Sequence, residues 1–140
     1  MDITICIKGK KFDKDSSAAI AEYTKRMSVF CNVKVAFFKG YKDFPVQSGA
    51  HSIGFVIKAG KKSPSSPDLA AQINTLQTNG YSSIFYYIIN ANDDEDFPVG
   101  DSLDTLSLSC FEMSQSTTTI VLTEQLYRAF TILNNITYHK

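Results

Sequence analysis

A chain of 140 residues is expected to form one domain with a core of its own. Its composition is 44% hydrophobic, 20% charged and 12% aromatic, and no apolar run approaches the roughly 20 residues that a bilayer span needs, so a membrane protein is not expected. The net charge of zero conceals an asymmetry: residues 1–62 hold twelve Lys/Arg and five Asp/Glu, residues 63–140 two and nine. A basic half could face RNA phosphate, or the two halves could attract each other across a dimer, and charge alone leaves these readings even.

In chain order, residues 3–7 read as a strand, followed by the basic turn Lys8-Gly9-Lys10-Lys11. A helix is expected from an Asp15 or Ser16 cap to about Met27, with Ile20, Tyr23 and Met27 on one face. Residues 33–38 form the second predicted strand, 39–51 a loop, and 53–58 a third strand that ends before Gly60-Lys61-Lys62. Ser66 as N-cap, Pro67 at the first helical position and Asp68 in the first turn open the next helix. Leu69, Ile73 and Leu76 share one of its faces, and Gly80 stops it as a left-handed cap. Residues 83–89 are apolar on both faces, which predicts a central strand. An acidic, turn-rich stretch 90–101 follows, then a last strand within 106–113 and a final helix over 118–133. Strand and helix signals alternate, so the expected class is α/β with a largely parallel sheet. The final helix is apolar around most of its circumference, which calls for burial in the core or, more simply in so small a domain, against a second subunit.

Cys6, Cys31 and Cys110 lack CxxC spacing, and Cys6 and Cys110 lie in apolar, strand-like runs. They are read as reduced core thiols of an intracellular, cytoplasmic protein, with no disulfide framework and no metal site. Asp2 and Lys8 flank a short apolar stretch, so the N-terminus does not read as a signal peptide, and the Asn135-Ile136-Thr137 sequon is taken as accidental. The run 93–96 has neither the alternating ligands nor the glycine of a calcium loop and reads as a solvated acidic loop.

Three segments carry a family resemblance. They are Gly9-Lys10 with Ile20-Ala21-Glu22-Tyr23-Thr24-Lys25-Arg26, then Gly60-Lys61 with Ser65-Ser66 and Leu69-Ala70, and finally Glu124-Gln125-Leu126-Tyr127-Arg128-Ala129-Phe130 with the terminal Tyr138-His139-Lys140. In order and spacing the chain resembles the SPOUT methyltransferase superfamily, RlmH type, whose members methylate a pseudouridine of large-subunit ribosomal RNA. The resemblance implies a single SPOUT domain over 1–140, a mostly parallel sheet flanked by helices with a C-terminal trefoil knot, bound S-adenosylmethionine, and a homodimer with the tail of one subunit near the cofactor of the other. The nearly all-apolar final helix fits such a dimer independently.

Carried over residue by residue, the resemblance puts Val56 where a family leucine would pack on the cofactor. Asn90 and Ala91 replace the close-approach glycines of a Gly-Gly-Pro-Glu-Gly loop, which brings Cβ atoms into space that glycine leaves open. Ser109-Cys110-Phe111-Glu112-Met113-Ser114 forms the third cofactor segment, with Gln115 and Thr119 standing where the pattern has histidine and arginine. His139 or Tyr138 would orient or deprotonate the acceptor base, with Lys140 on phosphate and Arg128 on the buried helix. For Tyr127 and Arg128, structural packing and pairing at the dimer interface is the favoured reading. Two readings follow: an active rRNA methyltransferase holding its cofactor mostly through backbone groups, or an inactive paralogue that binds RNA or protein as a dimer.

Overall fold

The computed structural model describes residues 1–45, 51–89 and 103–138. Five strands, β1 (Asp2–Lys8), β2 (Asn32–Phe38), β3 (Ser52–Ile57), β4 (Ser83–Ile88) and β5 (Leu103–Leu106), join in one sheet of order β2-β1-β4-β3-β5. Every pairing is parallel. Three helices complete the described elements: α1 (Lys14–Met27), α2 (Ser66–Thr78) and α3 (Gln115–Leu133). The class is α/β, as the alternation of signals predicts.

Register explains the core. Ile5, Tyr86 and Phe55 stand abreast on neighbouring strands, as do Ile7, Ile88 and Ile57. These rows face the helices and pack with Met27, Leu69, Ile73, Leu122, Leu126 and Phe130. Full burial of each such side chain contributes about 1.5–3 kcal/mol before entropy is counted. The alternate rows form a second, smaller cluster in which Tyr41, in the 3₁₀ turn Tyr41–Asp43, and Phe44, just after it, cover Cys6 and Tyr87. Handedness decides which face each connection takes. The β1–α1–β2 and β3–α2–β4 units move one way along the sheet and the β2-to-β3 crossing moves the other way. Right-handed crossovers therefore put α1 and α2 on one face and the 3₁₀ turn on the opposite face. The expectation of a central strand is met by β4, which is flanked by β1 and β3.

Local chemistry sets the helix ends, and three expectations shift. Asp13, not Asp15 or Ser16, caps α1 by accepting from Ser16 N–H at 3.1 Å. Ser65, not Ser66, caps α2 in a reciprocal capping box with Asp68, because the pair must lie three residues apart. α3 begins at Gln115, three residues before the expected start, with Ser114 as its cap. The β-branched run Thr117-Thr118-Thr119 hides that first turn in the sequence. In the fold Thr118 and Thr119 donate their hydroxyls to the carbonyls of Ser114 and Gln115, both at 2.8 Å. Gly80 does end α2 with φ +90°: Tyr81 N–H reaches Leu76 O and Gly80 N–H reaches Gln77 O. α3 ends in the same motif with Asn135 as the left-handed residue (φ 54°), bonding Ile136 N–H to Thr131 O and Asn135 N–H to Ile132 O.

The last strand lies earlier than expected. β5 stops at Leu106 opposite Ile57, because β3 itself ends there and the alternating Ser107-to-Ser109 stretch has no ladder left to extend. Cys110 consequently sits exposed in the following loop, whereas Cys6 and Cys31 are buried, and all three are free thiols. Burial raises the Cys6 thiol to about 12 and the Cys31 thiol to about 11, which suits inert packing.

One buried polar group stands out. The Tyr86 hydroxyl is fully buried with no hydrogen-bond partner among the described residues, its ring stacked on Phe55 at 5.6 Å. An unsatisfied buried hydroxyl costs about 1–3 kcal/mol. Tyr86→Phe should therefore stabilise the protein by about 1 kcal/mol in urea unfolding; a loss of stability would show that the hydroxyl is satisfied in solution.

Candidate active site at the carboxyl edge of the sheet

Parallel strands present all their carboxyl ends along one edge, where open α/β sheets bind their ligands. Two connections meet there. The chain leaving β3 and the chain leaving β5 remain paired beyond the ladder: Lys58 N–H donates to Leu106 O at 3.1 Å and Gly60 N–H to Ser109 O at 3.0 Å. Gly60 is required by this approach, since a Cβ there would lie 2.3 Å from Ser107 Oγ and 3.2 Å from Ser107 Cβ. The Gly-Lys turn noted in the sequence is thus the point where two backbone segments touch.

Past Ser109 the loop 109–114 is held at both ends. Ser109 Oγ donates to Phe111 O, and Ser114 Oγ accepts from Thr117 N–H at 3.2 Å as the α3 cap. Among the described residues, the backbone groups of Cys110, Glu112 and Met113 have no protein partner. A loop with free N–H and C=O groups beside a strand end can read the polar edge of a heteroaromatic ligand by backbone alone. The predicted cofactor residues Ser109, Cys110, Phe111, Glu112, Met113 and Ser114 are brought together here. Val56 lies on β3 one residue before its end, 7% exposed and in register with Tyr87 and Thr105, so it belongs to the floor beneath this edge. Thr119 is fully buried and bonded to Gln115 O, a core residue with no free group for a ligand. Asn90, Ala91, the acidic run 93–96, His139 and Lys140 lie outside the described residues.

The tail is placed elsewhere. After the Asn135 turn the chain folds back along α3, and Tyr138 OH donates to Glu124 Oε1 at 3.3 Å. Glu124 gathers three further donor groups: Gln125 Nε2 at 2.8 Å, Arg128 Nε at 3.2 Å, and a close ion pair with Arg128 Nη2. Arg128 also lies over the Tyr138 ring, 5.3 Å from its centroid, and Tyr127 meets Tyr138 edge-on at 5.0 Å. Gln125 in turn accepts from Ser66 Oγ at 2.8 Å, tying this cluster to the start of α2. Arg128 is therefore engaged within its own chain, with Glu124 and Tyr138. The sequence reading assigned Glu124 no role in the site and Ser66 only the role of a cap; the Glu124/Arg128 spacing of four on one helix was the available signal. Burial, and then the Glu124 charge, push the Tyr138 phenol up to about 12, so at neutral pH it is a hydrogen-bond donor and not a base.

An apolar groove of about 240 Å³ lies between α1 and β2, lined by Phe12, Ile20, Thr24, Val33, Val35 and Phe37. It sits at the edge of the sheet away from β5 and contains no titratable group, so it offers no chemistry to the loops described above.

Residues 1–139 match the protein family described as "Predicted SPOUT methyltransferase". Over its full length the chain is 36% identical to "Ribosomal RNA large subunit methyltransferase H 1" of a Thermoanaerobacter species, over the whole of that protein. It is 30% identical to "Ribosomal RNA large subunit methyltransferase H" of Pediococcus pentosaceus and to that of Fusobacterium nucleatum, again with both chains covered completely.

Two outcomes are expected from the contacts above. Gly60→Ala should lower stability by about 1–3 kcal/mol through overpacking, and adding Ser107→Gly should recover most of that loss. Equal losses in the single and double variants would mean that the approach of the two chains is not what constrains Gly60. Tyr138 should titrate near pH 12, and its raised value favours the fold fully below pH 10 and progressively less as pH rises through 12. Tyr138→Phe should remove one late-titrating phenol from the ultraviolet tyrosinate curve and flatten the alkaline fall in stability; an unchanged curve would place Tyr138 in solvent.

Proposed function

The chain belongs to the SPOUT methyltransferase family, and from that membership we propose that it is a single-domain, S-adenosylmethionine-dependent methyltransferase acting on large-subunit ribosomal RNA. The relatives bearing that name align with it end to end, so the likeness spans a whole protein and is not confined to one motif. The observation that carries the reading in the fold is the carboxyl-edge pair of loops, pinned through Gly60 and Ser109, with backbone groups at Cys110, Glu112 and Met113 that have no partner among the described residues. These residues fit a cofactor recognised through its polar edge. Val56 would contribute to the apolar floor and Asn90 and Ala91 to a third wall. A C-terminal trefoil knot belongs to this reading.

Bound there, S-adenosylmethionine supplies an activated methyl group. The protein must then hold the acceptor in line with it and remove a proton from the acceptor nitrogen. Tyr138 is a donor at neutral pH and suits orientation, and His139 would be the base. Lys140 would neutralise phosphate.

A homodimer is part of the proposal. Val29 (78% exposed), Ile132 (40%) and Ile136 (48%) are large apolar side chains left open where α1 and α3 end. The stacking of Phe30 on Phe130 at 6.1 Å brings those two ends together, and exposed apolar side chains there suit contact with a second copy.

Calorimetric titration with S-adenosylmethionine should show saturable binding, and methyl transfer to large ribosomal subunits should follow in a radiolabel assay. His139→Ala should lower kcat about 10²–10⁴-fold with little change in cofactor affinity, and Tyr138→Phe should have a smaller effect. Absence of cofactor binding by the folded protein would sink the methyltransferase reading and leave a binding module on the same fold.

A further inference from the structure

The topology decides where the lysines of residues 1–62 stand. Because all strands run in the same direction, the segments that follow β1, β2 and β3 emerge along one edge. Lys10, Lys11 and Lys14 follow β1, Lys39 and Lys42 follow β2, and Lys58, Lys61 and Lys62 follow β3, every one of them exposed. β2 and β3 are three strand spacings apart, so the lysines are spread over about 14 Å of sheet edge. Asp13, Asp15, Asp43 and Asp68 share these segments, and Asp13 and Asp68 are committed to capping α1 and α2. Away from this edge, Arg26 in the last turn of α1 is already paired with Glu22 at 2.9 Å.

We infer that these lysines form a docking surface for the phosphate backbone of RNA, laid along the same edge as the cofactor loops. The inference rests on the proposed function for its choice of polyanion. Among the described residues, no large apolar side chain is exposed on the three basic segments. A protein partner would be expected to meet an apolar, aromatic-rich centre with lysine depleted. Lysines with flexible stems and no apolar anchor fit a partner whose negative charge repeats regularly and whose sequence is read elsewhere.

The test is fluorescence anisotropy of a labelled single-stranded oligouridylate against the full chain over a potassium chloride series, with the cofactor titration run on the same samples. Each phosphate contact on a single strand contributes about 0.7 to the slope of log affinity against log salt, so Lys10→Gln, Lys11→Gln, Lys61→Gln and Lys62→Gln combined should lower the slope by about 3. Lys25→Gln with Lys34→Gln, off this edge, should leave it unchanged. An unchanged slope in the quadruple variant, or an equal fall per lysine in the control, would overturn the proposal. So would competition by polyglutamate as effective as that by RNA at equal charge, which would point to an acidic protein partner. Cofactor binding without RNA binding by the unaltered protein would defeat this surface and leave the methyltransferase reading standing. RNA binding lost in the quadruple variant, in a protein that binds no cofactor, would do the reverse.

Discussion

The constraint on which everything else depends is that β4 lies between β1 and β3 and runs parallel to both. A parallel sheet cannot be closed by hairpins, so each strand must be followed by a crossover on one face or the other. The direction of travel along the sheet selects the face, and the carboxyl ends are left side by side. The loops after β3 and β5, the basic segments and the Gly60–Ser109 contact share one edge for this reason. None needs a special local device beyond a glycine where two backbones meet.

α3 follows from the same arrangement. It settles between α1 and α2, with Leu122, Leu126, Ala129 and Phe130 in the core. Its buried threonines would be costly without partners, and each donates to a carbonyl of its own helix: Thr123 to Thr119 at 2.9 Å, Thr131 to Arg128 at 2.6 Å. The helix can therefore be buried despite its polar residues. Charge is concentrated at Glu124 and Arg128, whose side chains are 17% and 19% exposed, and there the tail is received.

The class of fold and most elements were legible because periodicity and caps are local signals. Residues 83–89 announced a central strand by being apolar on both faces, and Gly80 announced a helix end by its conformational freedom. Two boundaries failed where local preference and tertiary pairing disagree. Ser107 to Ser109 alternate like a strand but outrun β3, and Thr117 to Thr119 disfavour a helix that capping and burial nonetheless start. The site was legible only through likeness to a family. No spacing in the sequence says that Gly60 meets Ser107 or that Tyr138 meets Glu124, because those contacts depend on crossings of the chain. The carboxylate that organises the tail was passed over since its partner lies fourteen positions away and beyond a turn.

The Asn135 turn has a consequence in simple lengths. Tyr138 lies three residues past Asn135, which fully extended is about 10 Å. α3 has 19 residues and is about 28 Å long, and the loop 109–114 stands at its far end. Tyr138 is held at Glu124, ten residues or about 15 Å of helix from that loop. In the proposed dimer Tyr138 would therefore serve the loop of a second copy, and dilution should weaken that contact.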